Sequence, residues 1–254
     1  MLRDERLEKI AAYIDQNRFA TLAQLTETFG ISKATIRRDL ALLSDTRRVV
    51  LTRGGAASAT RGTTFELPFH EKRQQNQDEK IRIGAAACAH VNAGETIMID
   101  SGTTCNEMVP FLQNQTNVSV ATNDLLIAVG LAACPNIQTM IVGGGIRRGF
   151  YTATGYYAET QIREFHFDKA FLSVDALDLR HGCMITNADE VAVKRAILAA
   201  AREVVVLCDH TKFDTTAFVS ICKLERITRI ITGREISPDH VRAFTDAGIT
   251  LEIV

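Results

Sequence analysis

The apolar residues of the first 45 positions recur at helical spacing in three separate runs. The first run predicts a helix over residues 3–16, with one face formed by Leu7, Ile10, Ala11 and Ile14. A second helix is predicted from Thr21, a residue type that caps helix N-termini, to Gly30, a residue type that ends helices in the left-handed conformation. After a tight turn, Ser32 caps a third predicted helix, whose inner face carries Ile36, Leu40 and Leu43.

The outward face of the third helix is small and basic. Two short helices joined by a tight turn are typical of a helix-turn-helix, whose second helix lies in the DNA major groove. Side chains that contact base edges there are small or donate hydrogen bonds. The following run Arg47–Arg53 predicts a strand and Gly54–Gly55 a turn, which together would form a basic wing against phosphates. The predicted DNA-binding residues are Ser32, Lys33, Ala34, Thr35, Arg37, Arg38, Arg48 and Arg53.

Beyond residue 78, continuous apolar runs alternate with helical stretches, a pattern typical of parallel strands buried on both faces. The predicted fold class is therefore α/β, with a small N-terminal winged helix-turn-helix and a larger C-terminal α/β domain that has a mainly parallel sheet. The predicted strands are Thr96–Asp100, Val118–Ala121, Thr139–Val142, Lys169–Val174, Val204–Asp209, Ile227–Thr232 and Thr250–Val254. The predicted helices include Ile81–Val91, Glu190–Glu203 and Pro238–Ala247. The polar stretch between the two parts predicts domains at 1–57 and 78–254 with a linker at 58–77.

Composition and charge narrow the function classes. The apolar share of 46% and the charged share of 23% are those of a globular protein, and no apolar run is long enough for a spanning helix or a signal peptide, so a soluble cytoplasmic protein is expected. Residues 1–73 carry 13 Lys and Arg against 9 Asp and Glu, whereas the remainder carries 16 against 21. A basic head on an acidic body indicates a polyanionic partner. The six cysteines form no Cys-x-x-Cys pair, so reduced core thiols and no metal site are expected.

Polar side chains cluster where the predicted parallel strands end, which is where α/β sheets bind ligands. The first strand end is followed by Asp100, Ser101, Gly102, Thr103 and Thr104. Glycine, hydroxyl groups and the N–H groups of a following helix would hold a phosphate there, and an ordinary capped turn is the alternative. Further strand ends carry Thr122 and Asn123, then Gly144 and Gly145, and then a polar group of Asp175, Glu190, Lys194, Asp209 and Lys212. The glycine run fails the dinucleotide pattern because Arg148 stands at its last position, so no cofactor is expected.

Several runs resemble the DeoR family of bacterial transcriptional regulators. In the head these are I-S-K-A-T-I-R-R-D-L at residues 31–40 and Arg53-Gly54-Gly55-Ala56, with Arg53 where the family commonly has histidine. In the body D-S-G-T-T, F-L-S-V-D-A-L-D, T-N-A-D-E-V-A-V-K-R-A and D-H-T-K-F are similar to the family's effector domain, which is itself similar to ribose-5-phosphate isomerase. The resemblance implies a phosphorylated sugar or sugar alcohol as the ligand. It implies that residues 100–104 hold the phosphate, that Asp209 orients Lys212, and that hydroxyl groups are bound by Asp175, Glu190, Lys194 and Lys212.

These observations together predict a transcriptional regulator, specifically a repressor of a carbohydrate catabolism operon. Its affinity for double-stranded operator DNA would be lowered or changed by the phosphorylated sugar or sugar alcohol. Because palindromic operators match two-fold symmetric proteins, a homodimer or homotetramer is expected, with no membrane partner.

Two alternatives remain open from the sequence. The first is a sugar-phosphate isomerase with an appended DNA-binding head, because Glu190 and Lys194 have the chemistry of a proton-transfer base and an enediolate stabiliser. Against it, isomerases of that fold carry a K-G-G-G-G run before the glutamate, and residues 181–187 of this chain have no such run. The second alternative is a head that contacts protein, since any small three-helix bundle with surface arginines shares its pattern.

Overall fold

The computed structural model describes residues 3–46, 48–58 and 62–254. The chain divides into two units, with the boundary between Gln75 and Asn76. Within the described ranges, no helix has both the length and the apolar character needed to cross a membrane.

Three helices build most of the first unit, as the periodicity predicts. They are α1 (Arg3–Asn17), α2 (Leu22–Phe29) and α3 (Lys33–Asp45), and a short strand β1 (Phe19–Thr21) lies between α1 and α2. Their inner faces form one buried core, which includes Ile10, Ile14, Leu25, Ile36, Leu40 and Leu43. Helix α2 begins with a capping box and ends at Gly30, whose φ of 64° is left-handed. The helix-turn-helix predicted from the sequence is therefore present.

The strands of the first unit form an antiparallel sheet of order β1-β3-β2, with β2 at Val49–Leu51 and β3 at Gly55–Ser58. The wing strand predicted at 47–53 is shorter in the structure, and Arg47 lies outside the described residues. Gly55 is not in the turn, because its backbone pairs with Thr21 of β1. Within the segment predicted as a linker, Phe69–Gln74 form the short helix α4, and residues 59–61 lie outside the described residues.

The second unit is fully described and alternates helices with strands. Its helices are α5 (Gln77–Ala89), α6 (Thr103–Asn106), α7 (Val109–Leu112), α8 (Leu125–Ala132), α9 (Tyr156–Arg163), α10 (Val191–Ala200) and α11 (Pro238–Asp246). Its strands are β4 (Thr96–Ile99), β5 (Val118–Thr122), β6 (Ile137–Ile141), β7 (Gly145–Ile146), β8 (Ala153–Thr154), β9 (Phe167–Ser173), β10 (Ala176–Asp178), β11 (Gly182–Ile185), β12 (Ala201–Leu207), β13 (Val219–Cys222), β14 (Arg229–Thr232) and β15 (Leu251–Ile253).

A parallel sheet of seven strands, in the order β15-β14-β12-β9-β4-β5-β6, lies at the centre of this unit. Each strand predicted from an apolar run belongs to this sheet, which confirms the α/β class. Side chains of one strand point alternately to two cores: in β4, Ile97 and Ile99 pack on one side and Met98 on the other. Helices α5, α7 and α8 cover the first side, and α9, α10 and α11 cover the second.

Three parts of the second unit differ from the sequence-based expectation. The helix predicted at Glu190–Glu203 ends at Ala200, because residues from Ala201 onward pair with β9. The single helix expected after the segment 100–104 is two short helices, α6 and α7. An antiparallel sheet of order β10-β11-β13 and the pair β7-β8 were not predicted. Their strands are short, and pairing with distant residues decides their conformation.

Candidate functional site

Helix α3 presents a basic outward face. The hydroxyl of Ser32 caps the helix by accepting a hydrogen bond from the Thr35 backbone N–H at 3.3 Å. Exposed residues on the outward side are Ser32, Lys33, Ala34, Arg37 and Arg38, and Thr35 is half-buried. Among the residues that the structure describes, Lys33, Arg37 and Arg38 form no salt bridge. Their cationic groups are therefore available to an external anion.

Other arginines of the first unit are already paired. Arg6 holds the buried Asp39 of α3 by two hydrogen bonds of 2.6 and 3.0 Å, which fixes α3 against α1. Arg48, a predicted DNA contact, pairs with Glu8 through both of its terminal nitrogens, so it would have to leave Glu8 to reach a phosphate. Arg53, the other predicted wing residue, is exposed in the turn between β2 and β3.

The carboxyl ends of the parallel strands bring together a second group of polar residues. Asp100 follows β4, and its neighbours in the sheet are β5, which leads to Asn123, and β9, which ends at Ser173. The Ser101 backbone N–H donates to Asn123 Oδ1 at 3.0 Å, and the Ser173 hydroxyl donates to the Ser101 carbonyl at 2.6 Å. The loop after β4 is thus held by both neighbouring strands.

A buried ion pair between Asp100 and Lys194 lies at the centre of this group. Lys194 Nζ donates to Asp100 Oδ2 and to the Ser173 carbonyl, the latter at 3.1 Å. Burial lowers the pKa of Lys194, but the charges of Asp100 and Glu190 outweigh it, so that the pKa is raised and the amine is charged. Asp100 Oδ1 is buried and has no hydrogen-bond partner among the described residues. A buried acceptor without a donor is rare in native proteins, so this oxygen calls for a partner that the described residues do not supply.

Gly102 sits where the side chain of Ser173 leaves no room for another side chain. Its φ is 156°, and a Cβ placed on it would lie 2.5 Å from the Ser173 side chain. The Gly102 N–H donates to Asp124, which also caps α8 through the N–H groups of Leu126 and Ile127. Burial raises the pKa of Asp124, although these hydrogen bonds oppose the shift. After Gly102, the predicted phosphate residues Thr103 and Thr104 begin α6 and are buried.

Glu190 and Asp175 lie on the other side of Lys194. Glu190 Oε2 is 3.9 Å from Lys194 Nζ, and Glu190 Oε1 accepts a hydrogen bond from Arg147 at 2.6 Å. Asp175 accepts hydrogen bonds from the N–H and hydroxyl of Thr186 at 2.9 and 3.0 Å. Its charge also acts on Lys194. The structure therefore brings Asp100, Asp175, Glu190 and Lys194 into one electrostatic cluster.

Lys212 belongs to a different cluster at the end of β12. Burial raises the pKa of Asp209, but the charges of Lys212 and Lys80 and hydrogen bonds from Thr211 lower it to about 2. Glu79 accepts hydrogen bonds from the His210 backbone N–H and ring, each at 2.8 Å. Ligand atoms of Glu79, Asp209 and His210 lie within 4.8 Å of one another, but the two lysine charges beside Asp209 oppose binding of a cation there.

Three predicted residues have evident structural roles. Thr122 is buried at the end of β5, where its hydroxyl accepts from the Asp124 N–H at 3.1 Å. Gly144 packs so closely on strand β8 that a Cβ would lie 2.6 Å from the Thr154 carbonyl oxygen. Gly145 is exposed and pairs with Thr154.

The structure adds residues that sequence reasoning did not assign to the site. Ser173 was detectable, because it is a polar residue near the end of the strand predicted at Lys169–Val174. Lys80 is 2% exposed, although a lysine in an amphipathic helix normally indicates the solvent face. Arg147 donates to Glu190, and its guanidinium carbon lies 3.9 Å from the centre of the Phe150 ring. Arg147 lies between β7 and β8, and its contact with Glu190 depends on the fold of this distant segment.

Two family models match the chain, one for each part. The model described as the DeoR-like helix-turn-helix domain matches residues 6–62, and the model described as the DeoR C terminal sensor domain matches residues 75–234. The matched ranges contain the basic face of α3 and the Asp100–Lys194 cluster.

Full-length relatives agree with these matches. The chain is 32% identical to the putative sgc region transcriptional regulator of Escherichia coli K12, over 98% of this chain and 96% of that protein. It is 27% identical to the glycerol-3-phosphate regulon repressor of the same strain, over 100% of both chains. Among solved structures, ribose 5-phosphate isomerase A from Methanocaldococcus jannaschii is 17% identical with a TM-score of 0.41, covering 55% of each chain.

Proposed function

Because this chain belongs to the DeoR family of transcriptional regulators, we propose that it represses a carbohydrate catabolism operon and that a phosphorylated sugar or sugar alcohol changes its affinity for operator DNA. We assign DNA binding to residues 1–57, a linker to 58–77 and effector binding to 78–254. The protein acts in the cytoplasm, where the DNA is, and as a homodimer or homotetramer, because symmetric proteins match palindromic operators. Its mass in solution, measured by light scattering, tests the assembly.

The observation that carries the DNA-binding proposal is the basic face of α3. Lys33, Arg37 and Arg38 are exposed there, while the opposite face of the same helix is fixed in the core through Ile36 and Leu40. Guanidinium groups on a rigid helix have the geometry to donate two hydrogen bonds to a guanine edge. Arg53 on the wing would add a phosphate contact, and Arg48 would do so after release from Glu8.

Fluorescence anisotropy against DNA from upstream of the protein's own operon tests this assignment. Arg38→Ala is expected to weaken operator binding by about 5- to 150-fold, the equivalent of about 1–3 kcal/mol for one base contact. Arg163→Ala, which removes an exposed arginine of the second unit, is the matched control and should bind as the wild type does. Unchanged affinity of Arg38→Ala, with normal thermal stability, would refute the role of α3.

Salt dependence separates a DNA-binding head from one that contacts protein. Phosphate contacts release counterions, so the logarithm of the affinity should fall linearly with the logarithm of the salt concentration, with a slope of about −0.9 per contacted phosphate. Arg53→Ala should make this slope less steep and should weaken binding to operator and unrelated DNA equally. A head that binds no DNA at low salt would favour the protein-contact alternative.

The effector proposal is supported by Asp100 Oδ1, a buried acceptor to which no described residue donates a hydrogen bond. A sugar hydroxyl can donate to Asp100 Oδ1, and Lys194 is held beside it as a buried charge that fixes the carboxylate. We assign the phosphate to the loop of Ser101, Gly102, Thr103 and Thr104, with Asn123 holding that loop, and further hydroxyl contacts to Asp175, Glu190 and Lys212. Thr122, Gly144 and Gly145 shape the strand ends around them.

Effector binding is coupled to DNA binding by linkage. An effector that prefers one arrangement of the protein can change operator affinity only by its difference in affinity between arrangements, typically about 1–3 kcal/mol. The experiment is calorimetric titration of a panel of phosphorylated sugars and sugar alcohols, including glycerol 3-phosphate, and their unphosphorylated counterparts. One phosphorylated compound should bind and change the anisotropy of the operator complex.

Variants locate the effector site. Thr103→Val and Lys212→Met should weaken the binding of that compound and leave operator binding unchanged, whereas Lys223→Met, at an exposed position, should change neither. Full effector affinity in both site variants would refute the assignment. Turnover of any compound in the panel would instead support the isomerase alternative. Two observations argue against that alternative: the relatives are named as regulators, and Glu190 and Lys194 already form ion pairs with other residues.

A further inference from the structure

Two cysteines face each other across the small antiparallel sheet of the second unit. Cys183 on β11 and Cys222 on β13 are direct register partners, next to an irregularity between Cys183 and Met184. Directly opposite residues of antiparallel strands have Cα atoms about 4.5–5.5 Å apart, which lies inside the span of about 4.4–6.8 Å that a disulfide bridges. The register therefore places the two Cα atoms at a separation that a disulfide can span.

The two thiols differ in environment in the way that a redox pair requires. Cys222 is partly exposed, whereas Cys183 is fully buried in the core that α9, α10 and α11 form on one side of the parallel sheet. A hydrogen bond from the Cys183 thiol lowers the pKa of Cys222, and the charge of Arg226 adds to this effect against burial. Arg226 is held in place by hydrogen bonds to the carbonyls of Leu198 and Ala201 at the end of α10.

The remaining cysteines lack this combination. Burial raises the pKa of Cys88 to about 12 and raises the pKa of Cys105 and Cys208 well above the ordinary value for a thiol. Cys134 is partly exposed like Cys222, but its sulfur contacts the Gly130 carbonyl of the preceding helix α8. A reactive thiol needs access, a nearby positive charge and a second thiol to resolve it, and Cys222 has all three.

We propose that Cys183 and Cys222 form a reversible intramolecular disulfide on reaction with a hydroperoxide. The Cys222 thiolate attacks one peroxide oxygen, the O–O bond breaks, and Cys222 becomes a sulfenic acid. The other oxygen leaves as hydroxide or an alkoxide and takes up the proton that the Cys222 thiol released on ionising, which gives water or an alcohol. Cys183 then attacks the Cys222 sulfur, and the hydroxide that leaves takes the Cys183 proton to form water. Two electrons pass from the two sulfurs to the peroxide, and a dithiol reductant returns them.

The cross-link would tie β11 to β13 and so hold the chain segment that leads from β11 to Glu190. This segment includes Thr186, whose N–H and hydroxyl hold Asp175. The disulfide itself does not rest on the proposed function, because it depends only on the sheet register and on the two thiols. Its effect on the mobility of β11 and β13 can be measured without any effector.

The test is peptide mapping of the full-length protein after treatment with hydrogen peroxide, blocking of free thiols and non-reducing digestion with trypsin. The expected product joins peptide 181–194, which contains Cys183, to peptide 213–223, which contains Cys222. It should disappear after reduction, and the protein should migrate as a single chain on a non-reducing gel. Hydrogen exchange of the β11 and β13 amides should be slower in the oxidised protein.

Variants make the outcome decisive. Cys222→Ser should abolish the cross-link and leave Cys183 free for labelling, and Cys183→Ala should let Cys222 proceed to sulfinic acid. Cys134→Ser, which removes the other partly exposed thiol, should cross-link as the wild type does. A link from Cys183 to Cys208, a link between chains, or Cys134 oxidising as fast as Cys222 would overturn the proposal.

Discussion

Replacing Lys194 by methionine is expected to destabilise the second unit by about 3–5 kcal/mol, because it leaves a buried charge without its counterion. Asp100 is 0% exposed and Lys194 is 2% exposed. Without the amine, the donors left to Asp100 Oδ2 are the Ser173 backbone N–H at 3.1 Å and the Ser173 hydroxyl at 3.4 Å. Asp100 Oδ1 has no partner among the described residues, so nothing there offsets the loss.

A second variant tests whether the unpaired charge of Asp100 causes the loss of stability. The double variant Asp100→Asn/Lys194→Met removes the charge together with its partner, so it should be more stable than Lys194→Met by at least about 1 kcal/mol. The matched control is Arg163→Met, which breaks an exposed pair with Glu159 in the same unit and should cost about 0.5 kcal/mol or less.

Urea unfolding followed by far-ultraviolet circular dichroism measures these differences, since the chain has no tryptophan to report by fluorescence. Calorimetry assigns the transitions to the two units. The reasoning is refuted if Lys194→Met costs less than about 1 kcal/mol, or if the double variant is less stable than Lys194→Met.

Two further predictions concern stability in each unit. The pKa of Asp209 falls on folding from 3.8 to about 2, so its charge contributes about 2 kcal/mol above pH 4 that is lost as the pH falls towards 2. Unfolding free energies of wild type and Asp209→Asn should converge over that range, and parallel pH curves would contradict the assignment. Thr21→Ala removes the capping box of α2 and should cost the first unit about 1 kcal/mol in urea unfolding, whereas Thr21→Ser should recover most of it. Equal stability of Thr21→Ala and wild type would show that the cap contributes nothing.

Much of the architecture follows from local sequence patterns. The inner strands of the parallel sheet are largely buried on both faces, so most of the strands appear as apolar runs, and those runs predicted all seven. Helices α1, α2 and α3 each bury one stripe, so their spacing and their caps at Thr21 and Ser32 predicted them. The outward position of Arg37 and Arg38 follows from the same periodicity, because the opposite face must hold Ile36 and Leu40.

The candidate effector site was only partly predictable. The rule that ligands bind at the carboxyl ends of parallel strands identified Asp100 and Asn123, because they directly follow strands. The family resemblance named Lys194 as a hydroxyl-binding residue, and Ser173 could be noticed as a polar residue near a strand end. Their contacts with Asp100 were not predictable, because a lysine in an amphipathic helix is normally exposed and the strand order that places β9 beside β4 is not encoded locally. For the same reason, Glu190 and Lys194, which four-residue spacing alone would pair on an exposed helix face, lie instead in a largely enclosed group with Arg147 and Asp100.

The sequence by itself determined the family, the α/β class, the helix-turn-helix and the strands of the large sheet, because periodicity, caps and motifs act over a few residues. Tertiary structure alone decided that residues 201–203 belong to strand β12 and not to helix α10, that Lys80 and Lys194 are buried, and that Cys183 faces Cys222. Each of these depends on segments far apart in the chain, and the free energy of burying and pairing them exceeds the weak local preference of any one residue.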